Sequence, residues 1–231
     1  MYCRTYQAFF RAALPVLPYR EPKRLESVDK IPLLLKKLGA DPVLLVTDPT
    51  LCKTDAVTQL VAHLADYGIS CATYDGVNPN PTVYNVEEAF KVYKENGAKA
   101  IIAFGGGSPM DCAKAVGARA AYPQKSINKM KGLLKVLKPI PPLIAIPTTA
   151  GTGSETTLTA VITDSDKRHK YTMNSFTLIP HYAVLDPMAT VSLPKSLTAT
   201  TGMDALTHAV AHSLRGQYKS LTALPMPFSF R

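Results

Sequence analysis

From about residue 25 onward, apolar and polar positions fall into short blocks whose period switches between that of a strand and that of a helix. Residues 43–47 (VLLVT) form a short apolar run rich in β-branched side chains, as expected of a strand covered on both faces. A helical stretch at 31–38, stopped by Gly39, precedes it. Residues 56–67 set Val57, Leu60, Val61 and Leu64 at helical spacing, and Gly68 closes that segment. Residues 70–74 read as a second strand. Residues 86–95 read as another helix, with Phe90, Val92 and Tyr93 among acids and lysines and Asn96-Gly97 as its stop. Residues 100–104 predict a third strand and 142–146 a later one, while 158–184 reads as a hairpin-like region whose turn is supplied by 164–167. Strands alternating with helices in this way imply βαβ units, so the expected fold class is α/β: a mostly parallel, Rossmann-like sheet with helices on both faces.

In such sheets ligands gather at the carboxyl ends of the strands, which directs attention to the residues after Val46, Phe104 and Ile146. After the third strand stand Gly105, Gly106, Gly107 and Ser108, leading into a helical stretch. Bare glycines let a backbone approach a phosphate, and the amides and dipole of a helix start favour an anion. The spacing is not the usual dinucleotide fingerprint, because Met110 stands where G-x-G-x-x-G needs glycine, and no Gly-Lys-Ser/Thr follows to make a P-loop. A tight turn serving packing alone is the competing reading. Residues 146–157 (IPTTAGTGSETT) again follow a strand with closely spaced hydroxyls and glycines, suited to a ribose, a diphosphate or a nicotinamide amide; the alternative is a capped turn with Ser154 as a helix N-cap. Asp48, at the tip of the first strand, suits an adenosine ribose and repels a 2'-phosphate, or simply forms the turn before Pro49.

Asp204 and His208 are four residues apart, so on a helix they share a face and can grip one cation, unless they are a capping Asp and a partly buried His. His212 is excluded as a third ligand with Asp204, since eight residues of helix rise roughly 12 Å. His63 and His169 read as solvated, and His181 is left undecided.

The 231 residues carry a formal charge of +9, are 46% hydrophobic and only 19% charged, which excludes a disordered chain. The longest apolar runs, such as 42–46 and 100–104, are far too short to span a bilayer, so no membrane association is expected. Cys3, Cys52, Cys71 and Cys112 form no CxxC pair, which fits a reducing, cytoplasmic setting. Arg4, Arg11 and Arg20 precede any acid, but Pro15 and Pro18 interrupt an amphipathic targeting helix. Between Cys112 and Ser154 there is no Asp or Glu, while Lys114, Arg119, Lys125, Lys129, Lys131, Lys135 and Lys138 accumulate. Without interleaved aromatics these predict a solvated basic helix and loop, not a nucleic-acid surface, and their field favours an anionic cofactor.

Taken together and in this order, these segments resemble the iron-containing, or group III, alcohol dehydrogenase family. The resemblance is carried by residues 43–49, by 75–81 (DGVNPNP), by GGGSPMDCAK at 105–114, by IPTTAGTGSE at 146–155 and by LPKSLTATTGMDALTHA at 193–209. It implies a dinucleotide-binding α/β domain over 25–192 and, over 193–231, the start of an all-helical metal-binding domain, with 1–24 as a divergent N-terminal segment. It implies that Asp48 binds the adenosine ribose of NAD and that Asn80, Gly106, Gly107 and Ser108 line the cofactor groove. Thr148, Thr149 and Thr152 would contact the diphosphate and nicotinamide portions, Lys170 a ribose, and Asp204 and His208 would be the first two ligands of Fe(II) or Zn(II). The implied chemistry is reversible hydride transfer between a small alcohol or aldehyde substrate and NAD, the metal polarising the substrate oxygen. Assembly into a homo-oligomer stays open.

The sequence departs from the family after His208. Ala211 takes the place of the usual glutamate, Pro225 and Pro227 interrupt the helix, and the two histidine ligands of later helices are absent before Arg231. The expectation is a chain truncated within an incomplete helical domain, its metal site incomplete. Two readings follow: an NAD-dependent alcohol dehydrogenase by family, or a catalytically inactive nucleotide-binding fragment of one.

Overall fold

The computed structural model describes residues 19–166, 169–191 and 193–217. The expectations placed on residues 1–18, on Lys167 and on 218–231 lie outside the described residues. In chain order the elements are β1 (Lys23–Leu25), α1 (Ile31–Leu38), β2 (Val43–Val46), α2 (Asp55–Asp66), β3 (Cys71–Tyr74), α3 (Val83–Glu95), β4 (Ala100–Gly105) and α4 (Gly107–Ala121). There follow β5 (Gly132–Leu133), β6 (Leu143–Pro147), β7 (Thr159–Asp164), β8 (His169–Asn174), β9 (Tyr182–Val184) and α5 (Lys195–Gln217).

Six strands pair in parallel in the order β1-β9-β6-β4-β2-β3. The apolar runs read as doubly covered strands are so covered, because alternate side chains of a strand point to opposite faces. Val43 and Leu45 of β2 join Ile102 and Phe104 against Ile31, Leu35, Val57, Leu60 and Leu64 of α1 and α2. Leu44 and Val46 join Ile101 and Ala103 against Val86, Ala89, Met110 and Val116 of α3 and α4. Each of the larger side chains contributes about 1.5–3 kcal/mol by leaving water, and the alanines less.

Local chemistry sets the helix ends. Gly39 stops α1 in the left-handed region at φ 60°, where a Cβ is costly. Helix α3 starts three residues before the expected 86, because Thr82 and Asn85 form a reciprocal capping box that uses Asn where Glu or Gln is usual. The hairpin-like region divides. Strands β7 and β8 are antiparallel, Asp164 opposite His169, and with β5 they make a small second sheet. Residues 182–184 instead leave it as β9, inserted between β6 and β1 of the main sheet. Neither β1 nor β5 is expected from the sequence; three and two residues are too short to show a period.

Strand β2 has β3 on one side and β4 on the other, so the connection leaving β2 for β3 and the one leading on from β4 to β6 run in opposite directions across the sheet. Such a reversal opens a crevice beyond the carboxyl ends of the two diverging strands, here β2 and β4. Asp48 and the glycines of 105–107 stand at that crevice.

Candidate functional site: a glycine and threonine crevice

Strand β4 ends at Gly105 with φ 149°, a conformation open to glycine, and a Cβ there would lie 2.6 Å from Pro109 Cγ. The chain turns at Gly106, which precedes α4 with no capping side chain, so Gly107 and Ser108 open the helix with their N–H groups unused by it. The Ser108 hydroxyl accepts a hydrogen bond from the Asn80 amide at 3.2 Å, and Asn80 Oδ1 accepts from Lys170 Nζ at 2.8 Å. Residues from the loop before α3, from the start of α4 and from β8 thus meet at one edge of the crevice.

The opposite wall is the loop after β6. Thr148, which is buried, ties the walls together by donating its amide proton to Gly105 O at 3.1 Å. Thr149 sits against Gly106, its methyl 3.2 Å from where a Cβ would be, and its buried hydroxyl has no hydrogen-bond partner. Ser154 Oγ and Thr152 Cγ2 come to 3.4 and 3.8 Å from the corresponding point on Gly107. Thr152 Oγ1 accepts from the Ser154 amide at 3.4 Å. No helix begins at Ser154; it lies in turns closed by Thr156 N to Gly153 O and Thr157 N to Ser154 O, so the N-cap alternative does not hold. Asp48, half-buried, does form a turn: its Oδ1 accepts from the amides of Thr50 and Leu51, both at 2.9 Å.

One expectation is overturned. Lys114, placed on a solvated basic face, is fully buried. Its ammonium donates to Thr157 O at 2.9 Å, Thr157 Oγ1 at 2.7 Å and Thr159 O at 2.9 Å. Burial pushes it down to about 8, opposed by Asp111 and Glu155. Burial likewise pushes Asp111 up to about 6, while Lys114 and the Val161 amide, which donates to its carboxylate at 3.1 Å, pull the other way. Glu155 is also raised by burial. Sequence reading gave Asp111 and Lys114 no role, although their three-residue spacing puts both on one helical face. Arg119, from the same basic run, is engaged too, with its Nε 2.8 Å from Glu87 Oε1 and its guanidinium over the Phe90 ring.

Asp204 and His208 share a face of α5, with Nε2 3.6 Å from Oδ1 and both side chains well exposed. Among the described residues no group of three or more His, Cys, Asp or Glu could hold an ion, and the side chain of His212 lies outside them. His181, undecided from sequence, is structural: Nδ1 accepts from the Leu143 amide at 3.1 Å, and burial first, then Arg20, hold it down to about 4. His169 is exposed as expected, whereas His63 is half-buried, edge-on to Tyr67 and 3.8 Å from Asp29. Cys52, Cys71 and Cys112 are free thiols, each raised above the usual range chiefly by burial, so none is poised as a thiolate.

Residues 24–187 match the family model described as iron-containing alcohol dehydrogenase. The chain is 40% identical over 192 residues to lactaldehyde reductase of Escherichia coli K12, covering 82% of this chain and 50% of that protein. Its fold is similar to a 1,3-propanediol oxidoreductase crystal structure, with a TM-score of 0.80, 36% identity, and coverage of 84% of this chain and 52% of that one. Sulfoacetaldehyde reductase from Bifidobacterium kashiwanohense in complex with NAD+ is similar with a TM-score of 0.73 and 29% identity, over 84% of this chain and 52% of that one. The chain spans about half the length of the curated relatives it matches. With the family model matching most of the sequence and the fold similar to that of a solved 1,3-propanediol oxidoreductase, the chain belongs to the iron-containing alcohol dehydrogenase family.

Proposed function

We propose that this chain binds NAD(H) in the crevice beyond β2 and β4, as the nucleotide-binding part of a dehydrogenase that interconverts a small alcohol with its aldehyde or ketone. One observation carries the reading: two bare glycines at the start of α4 face Thr149 and Thr152, and the Thr149 hydroxyl is buried with no partner. A buried hydroxyl without a partner costs about 1–3 kcal/mol, which a ligand oxygen in the crevice would offset. In this reading the amides of Gly107 and Ser108 receive the diphosphate, Gly106 lets Thr149 approach closely, and Thr148, Thr149 and Thr152 line the facing wall. Asn80 and Lys170, already bonded to each other, hold the rim beside a ribose. Asp48 spends Oδ1 on its turn, and its charge stands where the adenosine ribose would lie. The relative solved with NAD+ supports the choice of cofactor. Bound NAD would supply hydride acceptance from the alcohol carbon. Residues 25–192 serve as the dinucleotide domain and 193–231 as the opening of a metal-binding helical domain, preceded by the segment 1–24.

Asp204 and His208 do not by themselves fit a catalytic ion site. Catalytic zinc commonly has about three protein ligands, whereas these are two exposed donors engaged with each other. A second reading, in which these residues bind the nucleotide without turning over an alcohol by themselves, rests on that shortfall among the described residues. Titration of the protein with NADH and NADPH, followed by the nicotinamide fluorescence, tests the shared claim. NADH should bind more tightly, and equal or tighter NADPH binding would remove the role given to Asp48.

A further inference from the structure

The loop at 148–157 has little regular structure, yet it must keep Thr149 and Thr152 against the glycines of α4. Its start is held by the Thr148 amide on Gly105 O. Its far end is held from inside the same helix that presents the glycines. Lys114 lies seven residues beyond Gly107, roughly 10 Å along α4, with its whole side chain out of water. Its three donors meet three acceptors, all on the segment that leaves the loop, Thr157 and Thr159. Three residues earlier on the same face, Asp111 accepts from Val161 on the strand that continues the loop. The loop tip also reaches α5, since a Cβ on Gly151 would collide with the Thr201 carbonyl.

We propose that Lys114 is a positioning residue: a buried ammonium strut that sets the threonine loop in register with the N-terminus of α4, and through Gly151 seats the helix bearing Asp204 and His208. The proposal rests on the nucleotide reading above for its functional consequence, but not for its structural one. An ammonium suits the task because its three N–H groups can saturate three acceptors converging from one side, whereas a hydrophobic replacement would take the donor from two carbonyls and leave the Thr157 hydroxyl only its longer bonds to Ser154 O and Thr159 O. Asp111 on α4 and Glu155 in the loop are the acidic groups that face it and compensate its charge. A long side chain that is merely apolar filler would need no acceptor at its tip, and here the tip has three.

The test uses the full chain with two variants, Lys114→Met, which keeps length and loses the donors, and Thr157→Val, which removes one acceptor of Lys114, together with the longer bonds of that hydroxyl to Ser154 O and Thr159 O, while Lys114 remains. Amide hydrogen exchange is read without ligand, and NADH affinity is read by fluorescence titration. For Lys114→Met we expect faster exchange confined to 148–157 and the neighbourhood of Thr201, protection in β2 and β4 like the parent's, and at least a tenfold weaker NADH affinity. Thr157→Val should move the same amides and lower affinity by about threefold. Unchanged exchange in the loop of Lys114→Met overturns the proposal, as does exchange that rises uniformly through β2 and β4. Should Lys114→Met not fold, Thr157→Val decides, and parent-like loop exchange and affinity overturn it. If the parent itself fails to bind NADH, the nucleotide reading falls, while the exchange measurement still judges the strut.

Discussion

At the scale of single residues, Asp48 carries two separable burdens. Its Oδ1 accepts two backbone amides in the turn after β2, and in the proposed reading its charge also disfavours a 2'-phosphate on the ribose. Asp48→Asn keeps an acceptor oxygen for the turn and removes the charge, so it should narrow the preference for NADH over NADPH with little loss of stability. Asp48→Gly should narrow it equally and also cost about 1 kcal/mol, as loss of a capping side chain does. Paired cofactor titrations and urea denaturation of both variants check this; a preference unchanged in both would remove Asp48 from the site. His181 makes a pH prediction. Its folded value of about 4 lies below the usual 6.5, so the unfolded chain takes up the proton first as pH falls. Its contribution is therefore present above about 6.5 and is lost as pH falls through about 4, amounting to about 2 kcal/mol once its partial exposure is allowed for. Asp111, raised to about 6, acts in the opposite sense across part of that window, so the comparison must be with a variant. His181→Asn should flatten the acid slope relative to the parent in denaturation curves between pH 7 and 4; parallel curves would show that this imidazole does not titrate differently on folding.

At the scale of elements, α4 does most of the arranging, and its first turn separates space needed for folding from space kept for a ligand. Gly105 has no room for a Cβ and a backbone angle that side chains rarely adopt. Gly105→Ala should therefore destabilise the protein by about 1–3 kcal/mol, read as a lower urea midpoint. At Gly107 the nearest atoms would stand at ordinary contact distance, Ser154 Oγ at 3.4 Å and Thr152 Cγ2 at 3.8 Å. A branched side chain there fills the crevice without breaking the sheet. Gly107→Val should keep a parent-like circular dichroism spectrum while weakening NADH binding more than tenfold. NADH affinity equal to the parent's would mean that the turn serves packing alone.

At the scale of the whole molecule, the two halves of the proposed chemistry are unequally furnished. The crevice is walled on both sides, whereas α5 exposes Leu197, Met203, Leu206 and Val210 along with its two donors. No helix among the described residues is long and apolar enough to cross a membrane. With two donors among the described residues, an added ion should exchange freely, and these 231 residues by themselves should show little or no NADH formation from short alcohols or diols with Fe(II) or Zn(II). Steady-state assays with and without each metal test this. Robust metal-dependent turnover would require further ligands from a second copy of the chain, and a first-order dependence of specific activity on protein concentration would reveal them.

The sequence by itself determined what is local. Runs such as 43–47 and 100–104 are short, almost wholly apolar and rich in branched side chains, so they read as strands covered on both sides, and the alternate residues of the strands formed there do divide between two cores. The glycines and hydroxyls after β4 and β6 were legible for the same reason: a bare turn and a helix start are properties of adjacent residues. The site roles of Asp48, Asn80, Thr148 and their companions follow from resemblance and await the titrations above. What the tertiary structure alone decided depends on partners far along the chain. Lys114 reads as one more charge in a basic run until packing brings it acceptors 43 and 45 residues away, and the Asn80 to Lys170 bond spans 90. Strand β9 looks like part of a hairpin until β6 and β1 take up its two edges. A charge is solvated or buried, and a three-residue segment is strand or turn, according to what the rest of the chain packs against it, and neither composition nor periodicity records that.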